Sequence, residues 1–324
     1  MTERDDASPA CRLYAILARD GRTGVVFRRG PSRQVRLLRW WLGSDTVEPG
    51  QWLKGRIYER RCDVSPDGSM LVYFAAKWET PLATWTAISR PPYLTALALW
   101  PKGDAWGGGG LFLGPRTLGL NHFESSPVQT GKRRQAWHPL GDEGVPLPRL
   151  PRGLAVKPVA AWAGRGEDSP IEDTRMSRDG WQLVAPGTRG TSSRGDEFAF
   201  RFEQPEVYER PSPRTGANPL VLRRLLTAIG QRNGPWRVES FQICRPDGTV
   251  VRDIADCGWA DWDSTGDLLF ALGGCLYRLP AVRALETVTC AIDGARLVAD
   301  LTSMRFEGMI APPSASMWPE TIGR

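Results

Sequence analysis

Apolar residues along the chain fall in short runs closed by Ser, Asp, Pro and Gly. The clearest instance is Cys62-Asp63-Val64-Ser65-Pro66-Asp67-Gly68, followed by Met70-Leu71-Val72-Tyr73-Phe74. The phrase returns at Arg175-Met176-Ser177-Arg178-Asp179-Gly180 before Trp181-Gln182-Leu183-Val184, and at Asp261-Trp262-Asp263-Ser264-Thr265-Gly266 before Leu268-Leu269-Phe270. Aligned on Gly68, Gly180 and Gly266, all three copies carry an apolar residue four positions before the glycine and Ser or Asp three before. Apolar residues also follow three and four positions after it. A hairpin accounts for the pattern: the Ser or Asp side chain bonds the turn backbone, Gly supplies positive φ, and the flanking apolar residues bury one face. Fainter copies lie at Leu17-Ala18-Arg19-Asp20-Gly21 and Leu99-Trp100-Pro101-Lys102-Gly103.

Toward the C-terminus the strands read in succession. Trp236 to Cys244 is extended, Arg245-Pro246-Asp247-Gly248 turns the chain, and Thr249 to Ile254 returns. The Trp262, Leu268 and Cys275–Leu279 strands follow, the last two separated by Gly273-Gly274. Short antiparallel strands joined by tight turns form a meander.

The phrase resembles the turn of bacterial β-propellers of the TolB-type and tryptophan-aspartate-repeat-like class, whose repeats carry Ser-Pro-Asp-Gly before an apolar strand. Val64 to Phe74 matches that pattern most closely. The other copies depart from it: Ser177-Arg178 replaces Ser-Pro, and Ser264-Thr265 replaces Pro-Asp. The resemblance implies an all-β fold, a single propeller domain over residues 1–324, and little about activity, because propellers host enzymes, scaffolds and ligand binders alike. Turn anchors near positions 20, 67, 103, 179 and 266 are 47, 36, 76 and 87 residues apart. Five blades with inserts are favoured, and six or seven stay open.

Residues 124–170 hold seven prolines and few apolar residues, which predicts a long surface excursion. Residues 186–218 read as a second insert that opens on a loop, PGTRGTSSRGD. A helix is expected over 219–229, with Asn218 as N-cap, Pro219 in the first turn and Gly230 beyond the end. Its stripe is Leu222, Leu225, Leu226 and Ile229.

Composition sharpens this reading. The 324 residues carry 42 Lys+Arg and 36 Asp+Glu, a net charge of +6, and 41% are hydrophobic, as in an ordinary globular protein. Fourteen Trp beside 35 Gly and 27 Pro favour short strands and many turns. No apolar run is long enough to span a bilayer, and acids stand near the first residues where a secretory leader would carry bases. A cytoplasmic protein with no membrane partner is expected. The six cysteines, at 11, 62, 244, 257, 275 and 290, contain no CxxC pair, so buried free thiols are expected and no metal site or other cofactor.

Candidate chemistry is sparse. His122 and His138 are the only two histidines, which leaves little material for metal centres or Ser/His/Asp arrangements. Gly107-Gly108-Gly109-Gly110 has amides free to cradle an anion, but no Lys-Ser or Lys-Thr follows, and a flexible strand connection is the plainer reading. Asp63, Asp261 and Asp263 lie on strands that would be innermost in their blades. Alternation puts the last two on one face, so a glycoside-type hydrolase using channel carboxylates is the runner-up. The plainer reading gives Asp263 to its turn and leaves Asp261 either solvated or paired with an arginine. Between residues 11 and 61 there are twelve Lys+Arg and four Asp+Glu. Arg28, Arg29, Arg33, Arg36 and Arg39, with Lys132, Arg133 and Arg134 farther on, compose a candidate phosphate-tracking surface, with Trp40, Trp41 and Trp52 for base stacking. The alternative is the solvated face of an outer strand. Tryptophans 78, 85, 100, 106 and 137 are candidates for a sugar or peptide pocket, most of them expected in the core. The leading expectation is a non-enzymatic propeller that serves as an interaction scaffold, an accessory subunit of a bacterial multi-protein complex that recognises a protein partner.

Overall fold

The structure, a computed structural model, describes residues 11–31, 33–79, 82–125, 135–137, 149–159, 168–190, 197–214, 219–231, 235–284 and 290–320. Among the described residues the fold is all-β, in the five-blade arrangement of a β-propeller, with one α-helix. The chain divides into two compact units, Ala15–Arg175 with Met304–Arg324, and Met1–Tyr14 with Met176–Ser303.

In the first sheet, strands β1 (Arg12–Leu17), β2 (Thr23–Arg29), β3 (Gln34–Trp41) and β4 (Thr46–Lys54) pair in chain order. Val26 faces Leu38 and Phe27 faces Leu37 across β2 and β3, and all four side chains are buried. The second sheet holds β5 (Arg56–Ile57), β6 (Asp63–Val64), β7 (Leu71–Ala76), β8 (Thr84–Ser89) and β9 (Ala96–Pro101). Every residue of β7 and β8 is buried, which is why the run after Gly68 reads as continuously apolar and not as an alternation. The third sheet is built on β10 (Gly110–Gly114) and β11 (Thr117–Leu120), beyond which β12 (Phe123–Ser125) and β13 (Gln135–Trp137) form a separate hairpin.

The stretch 124–170, expected as a surface excursion, supplies the third strand of that sheet. Strand β14 (Ala155–Pro158) runs parallel to β11, with Val156 beside Leu118, and the flanking Leu154 and Val159 are buried. An edge strand tolerates Pro158 because its outer side needs no amide. Helix α1 (Ser169–Arg178) follows, where sequence reading placed a strand running into a turn.

In the unit that holds Met176–Ser303, the fourth sheet contains β15 (Gln182–Ala185), β16 (Thr188–Arg189), β17 (Phe200–Pro211), β18 (Val221–Ile229), β19 (Arg237–Cys244) and β20 (Val250–Ile254). Two expectations are corrected here. The 186–218 insert contains the twelve-residue strand β17. The expected helix over 219–229 is strand β18, hydrogen-bonded to β17 on one side and β19 on the other. Leu222 and Leu226 satisfy both a helical i, i+4 spacing and a strand alternation, so the apolar pattern alone does not separate the two. Arg224 decides the matter: it is buried with Leu222 and Leu226 and pairs with buried Glu239 of β19, which a solvated helix face would not provide.

The fifth sheet is β21 (Cys257–Trp262), β22 (Leu268–Leu272), β23 (Cys275–Leu279) and β24 (Arg296–Asp300), a four-strand meander in chain order. Its core joins Trp262, Leu268, Phe270 and Leu279 to Met176, Trp181, Leu222 and Phe241.

Candidate functional site

The three candidate carboxylates are all engaged in holding turns and strands. Asp63 is buried, and its Oδ2 accepts the Phe112 amide of β10 at 2.8 Å. Asp263 Oδ1 accepts the amides of Thr265 and Asp267 at 2.8 and 3.0 Å, which closes the turn before β22. Its Oδ2 takes the Arg278 guanidinium. Asp261 pairs with Arg210 and accepts the Trp262 amide at 2.9 Å. Burial raises the Asp261 pKa, the Arg210 guanidinium opposes that rise, and Asp179 adds to it.

The glycine run is a packing device. Gly107, Gly108 and Gly109 all have positive φ, and a Cβ on Gly108 would lie 2.2 Å from the Phe74 ring. The Gly108 amide donates to Asn121 O at 2.7 Å and the Gly109 amide to Thr86 Oγ1 at 2.8 Å, so these two amides are engaged within the protein. Arg61, buried against Tyr58 and Phe74, donates to the carbonyls of Ala105 and Gly107 and to Asp168. Among the described residues no group of three or more His, Cys, Asp or Glu is placed to hold a metal ion, and no helix is long and apolar enough to cross a membrane.

The early arginines divide. Arg28 and Arg36 face each other across β2 and β3, and Arg36 faces Trp52 across β3 and β4, so the three form one row. Both guanidiniums are buried, 5.5 and 5.4 Å from the Trp52 ring centroid. Arg29 pairs with Glu59 at 3.3 Å, and half-buried Arg39 lies 5.2 Å from the Trp41 ring. Arg33 is exposed at the β2–β3 turn, with φ of 56°. A backbone-tracking surface needs guanidiniums in solvent, and the central pair here is turned inward onto an aromatic ring. Lys132, Arg133, Arg134 and His138 lie outside the described residues.

The segment 304–320, which nothing in the sequence pattern singles out, covers this row. Met304, Phe306 and Glu307 meet Arg36 and Trp52, while Arg90 donates to the carbonyls of Ser314 and Met317 at 3.1 and 3.3 Å. Trp318 packs on the core of Val72, Ile88 and Trp100.

The tryptophans separate in the same unit. Trp85 and Trp100 are core, whereas Trp78 and Trp106 are 54% and 69% exposed. Trp78 lies in the β7–β8 connection and Trp106 in the connection after β9. Thr84, the first residue of β8, ties the end of the β7–β8 connection to the one after β9, because its O accepts the Lys102 amide and its Oγ1 donates to Asp104 O. The backbone of each is hydrogen-bonded: the Trp106 amide donates to Asp104 Oδ1 at 2.8 Å, and the Trp78 amide donates to Ala83 O at 3.0 Å. Trp78 has φ of 61°, a left-handed conformation that costs a bulky residue about 1 kcal/mol or more.

No protein-family model matches the chain. The fold is that of a five-blade β-propeller arrangement.

Proposed function

We propose that this protein is a non-enzymatic interaction scaffold, an accessory subunit of a bacterial multi-protein complex, which grips a protein partner through Trp78 and Trp106. The observation that carries the reading is the exposure of two large indoles on neighbouring connections, each with a hydrogen-bonded backbone amide. Exposed, pre-organised aromatic side chains are what protein interfaces use as anchors, because they bury much area for little lost rotamer entropy. A strained Trp78 backbone adds support, since strain persists at positions retained for function. The engagement of Asp63, Asp261 and Asp263 in turn and strand contacts weighs against a hydrolase. Membership of the TolB-type or tryptophan-aspartate-repeat-like class is part of the proposal, supported by the Ser65-Pro66-Asp67-Gly68 turn. Free thiols at all six cysteines favour a reducing, cytoplasmic compartment.

Affinity purification of the tagged chain, with and without nuclease at near-physiological salt, tests this. A stoichiometric protein that survives nuclease supports the scaffold; recovery of the protein alone, or of a set lost on nuclease treatment, overturns it.

A further inference from the structure

The C-terminal segment binds its own unit in the manner of a docked peptide. Residues 304–311 belong to no strand or helix, and side chains of the first sheet hold them. Arg36 Nη1 lies 3.8 Å from Met304 Sδ and Arg36 Nη2 3.9 Å from Glu307 Oε2. The Phe306 ring sits 5.9 Å from Trp52, with Lys54 Nζ 4.5 Å from its centroid. Gln51 Nε2 reaches the Met309 carbonyl at 3.3 Å.

The chemistry of the groove is complementary to that occupant. Buried Arg28 and Arg36 share the Trp52 ring, and Glu307, 75% exposed, is the carboxylate paired with Arg36 among the described residues. An aromatic side chain followed directly by an acid thus places its ring against Trp52 and Lys54 and its charge toward Arg36, while Gln51 reads a backbone carbonyl further on. Residues 304–311 pair with no strand edge, and these contacts are made by side chains of the groove. Within the C-terminal segment residues 304–311 are shallowly held: Phe306 is 38% exposed and Ile310 almost wholly exposed.

We propose that the groove of Arg36, Trp52, Lys54 and Gln51 is a recognition site for an extended peptide bearing an aromatic residue followed by an acidic one, and that residues 304–309 occupy it in cis until a partner's peptide displaces them. The proposal rests on the scaffold reading only in taking the partner to be a protein; it does not involve Trp78 or Trp106.

The experiment titrates a fluorescent synthetic peptide of residues 303–312 into the full-length chain and into the full-length double variant Phe306→Ala, Glu307→Ala. A tethered competitor at millimolar effective concentration masks the site, so its weakening is expected to tighten peptide binding by about tenfold or more. A peptide with the same two positions changed to Ala is expected to bind neither chain. The altered residues are exposed at the surface, and matching thermal midpoints establish that the variant is folded. Equal affinity for both chains, or equal binding of the altered peptide, overturns the proposal. Failure here leaves partner capture through Trp78 and Trp106 intact, and failure of that capture leaves peptide binding measurable.

Discussion

Trp181 donates its backbone amide to the carbonyl of Met176, five residues back, at 2.9 Å, and the side chains of both residues are buried in one core cluster. With the Gly180 amide on Ser177 O and Gly180 at φ of 92°, this is a Schellman ending of α1. Gly68 and Gly266 make the same three-residue turn bond, to Ser65 O and Asp263 O, but between two strands.

Gly180→Ala is expected to cost about 1 kcal/mol, the left-handed penalty alone, because a Cβ there meets nothing nearer than Arg210 Nε at 4.0 Å. Gly108→Ala has a similar φ but drives a Cβ into the Phe74 ring, and is expected to cost about 3 kcal/mol or more. Urea denaturation of the two variants checks the difference; equal losses would show that the close approach of Gly108 to Phe74 is not a stability determinant.

The same turn explains what was legible in the sequence. An apolar residue, Ser or Asp, two turn-forming residues and Gly specify a left-handed closure with apolar flanks, and that closure ends a helix as readily as it joins two strands. Copies one and three were read correctly because Val64 and Trp262 stand on strands paired with β7 and β22. Copy two was misread because it caps α1, and its following Leu183 and Val184 are exposed on β15 instead of buried. Strand β18 was misread because Leu222 and Leu226 fit both periods and the deciding contact, Arg224 with Glu239, is made by a residue on another strand. The turn role of Asp263 was legible because it acts locally, on Thr265 and Asp267, whereas the Asp261 pair with Arg210 and the Asp63 bond to the Phe112 amide join distant residues and leave no local signature. The peptide-like docking of Phe306 on Trp52 joins residues 254 positions apart and leaves no local signature.

Asp263 shares buried Arg278 with a second carboxylate, Asp267 at 3.2 Å, so Asp263→Asn removes the nearer charge and weakens the turn bonds, and is expected to destabilise the protein by about 1 to 2 kcal/mol. A denaturation midpoint equal to that of the parent chain would return Asp263 to the list of free carboxylates available for catalysis.

His122 is buried, with Nε2 2.8 Å from Thr86 Oγ1, and burial, aided by the Lys102 charge, lowers its pKa to about 3 from 6.5. The unfolded chain takes up this proton below pH 6.5 and the folded chain does not until about pH 3. The contribution of His122 is therefore complete above 6.5 and is lost progressively as pH falls toward 3, by about 3 kcal/mol at pH 4. His122→Gln is expected to lose stability less steeply than the parent between pH 7 and 4. Parallel pH profiles for the two chains would mean that His122 carries no such linkage.

The central claim is that Trp78 and Trp106 hold a protein partner. Its most direct measurement is quantitative affinity capture, under nuclease and from the native cell, of the parent chain beside the double variant Trp78→Ala, Trp106→Ala. Both indoles are mostly exposed, so the variant is expected to unfold within about 1 kcal/mol of the parent. The account predicts a stoichiometric partner with the parent chain and its loss by tenfold or more, about 1.4 kcal/mol, with the variant. Equal recovery of that partner by both chains would contradict it.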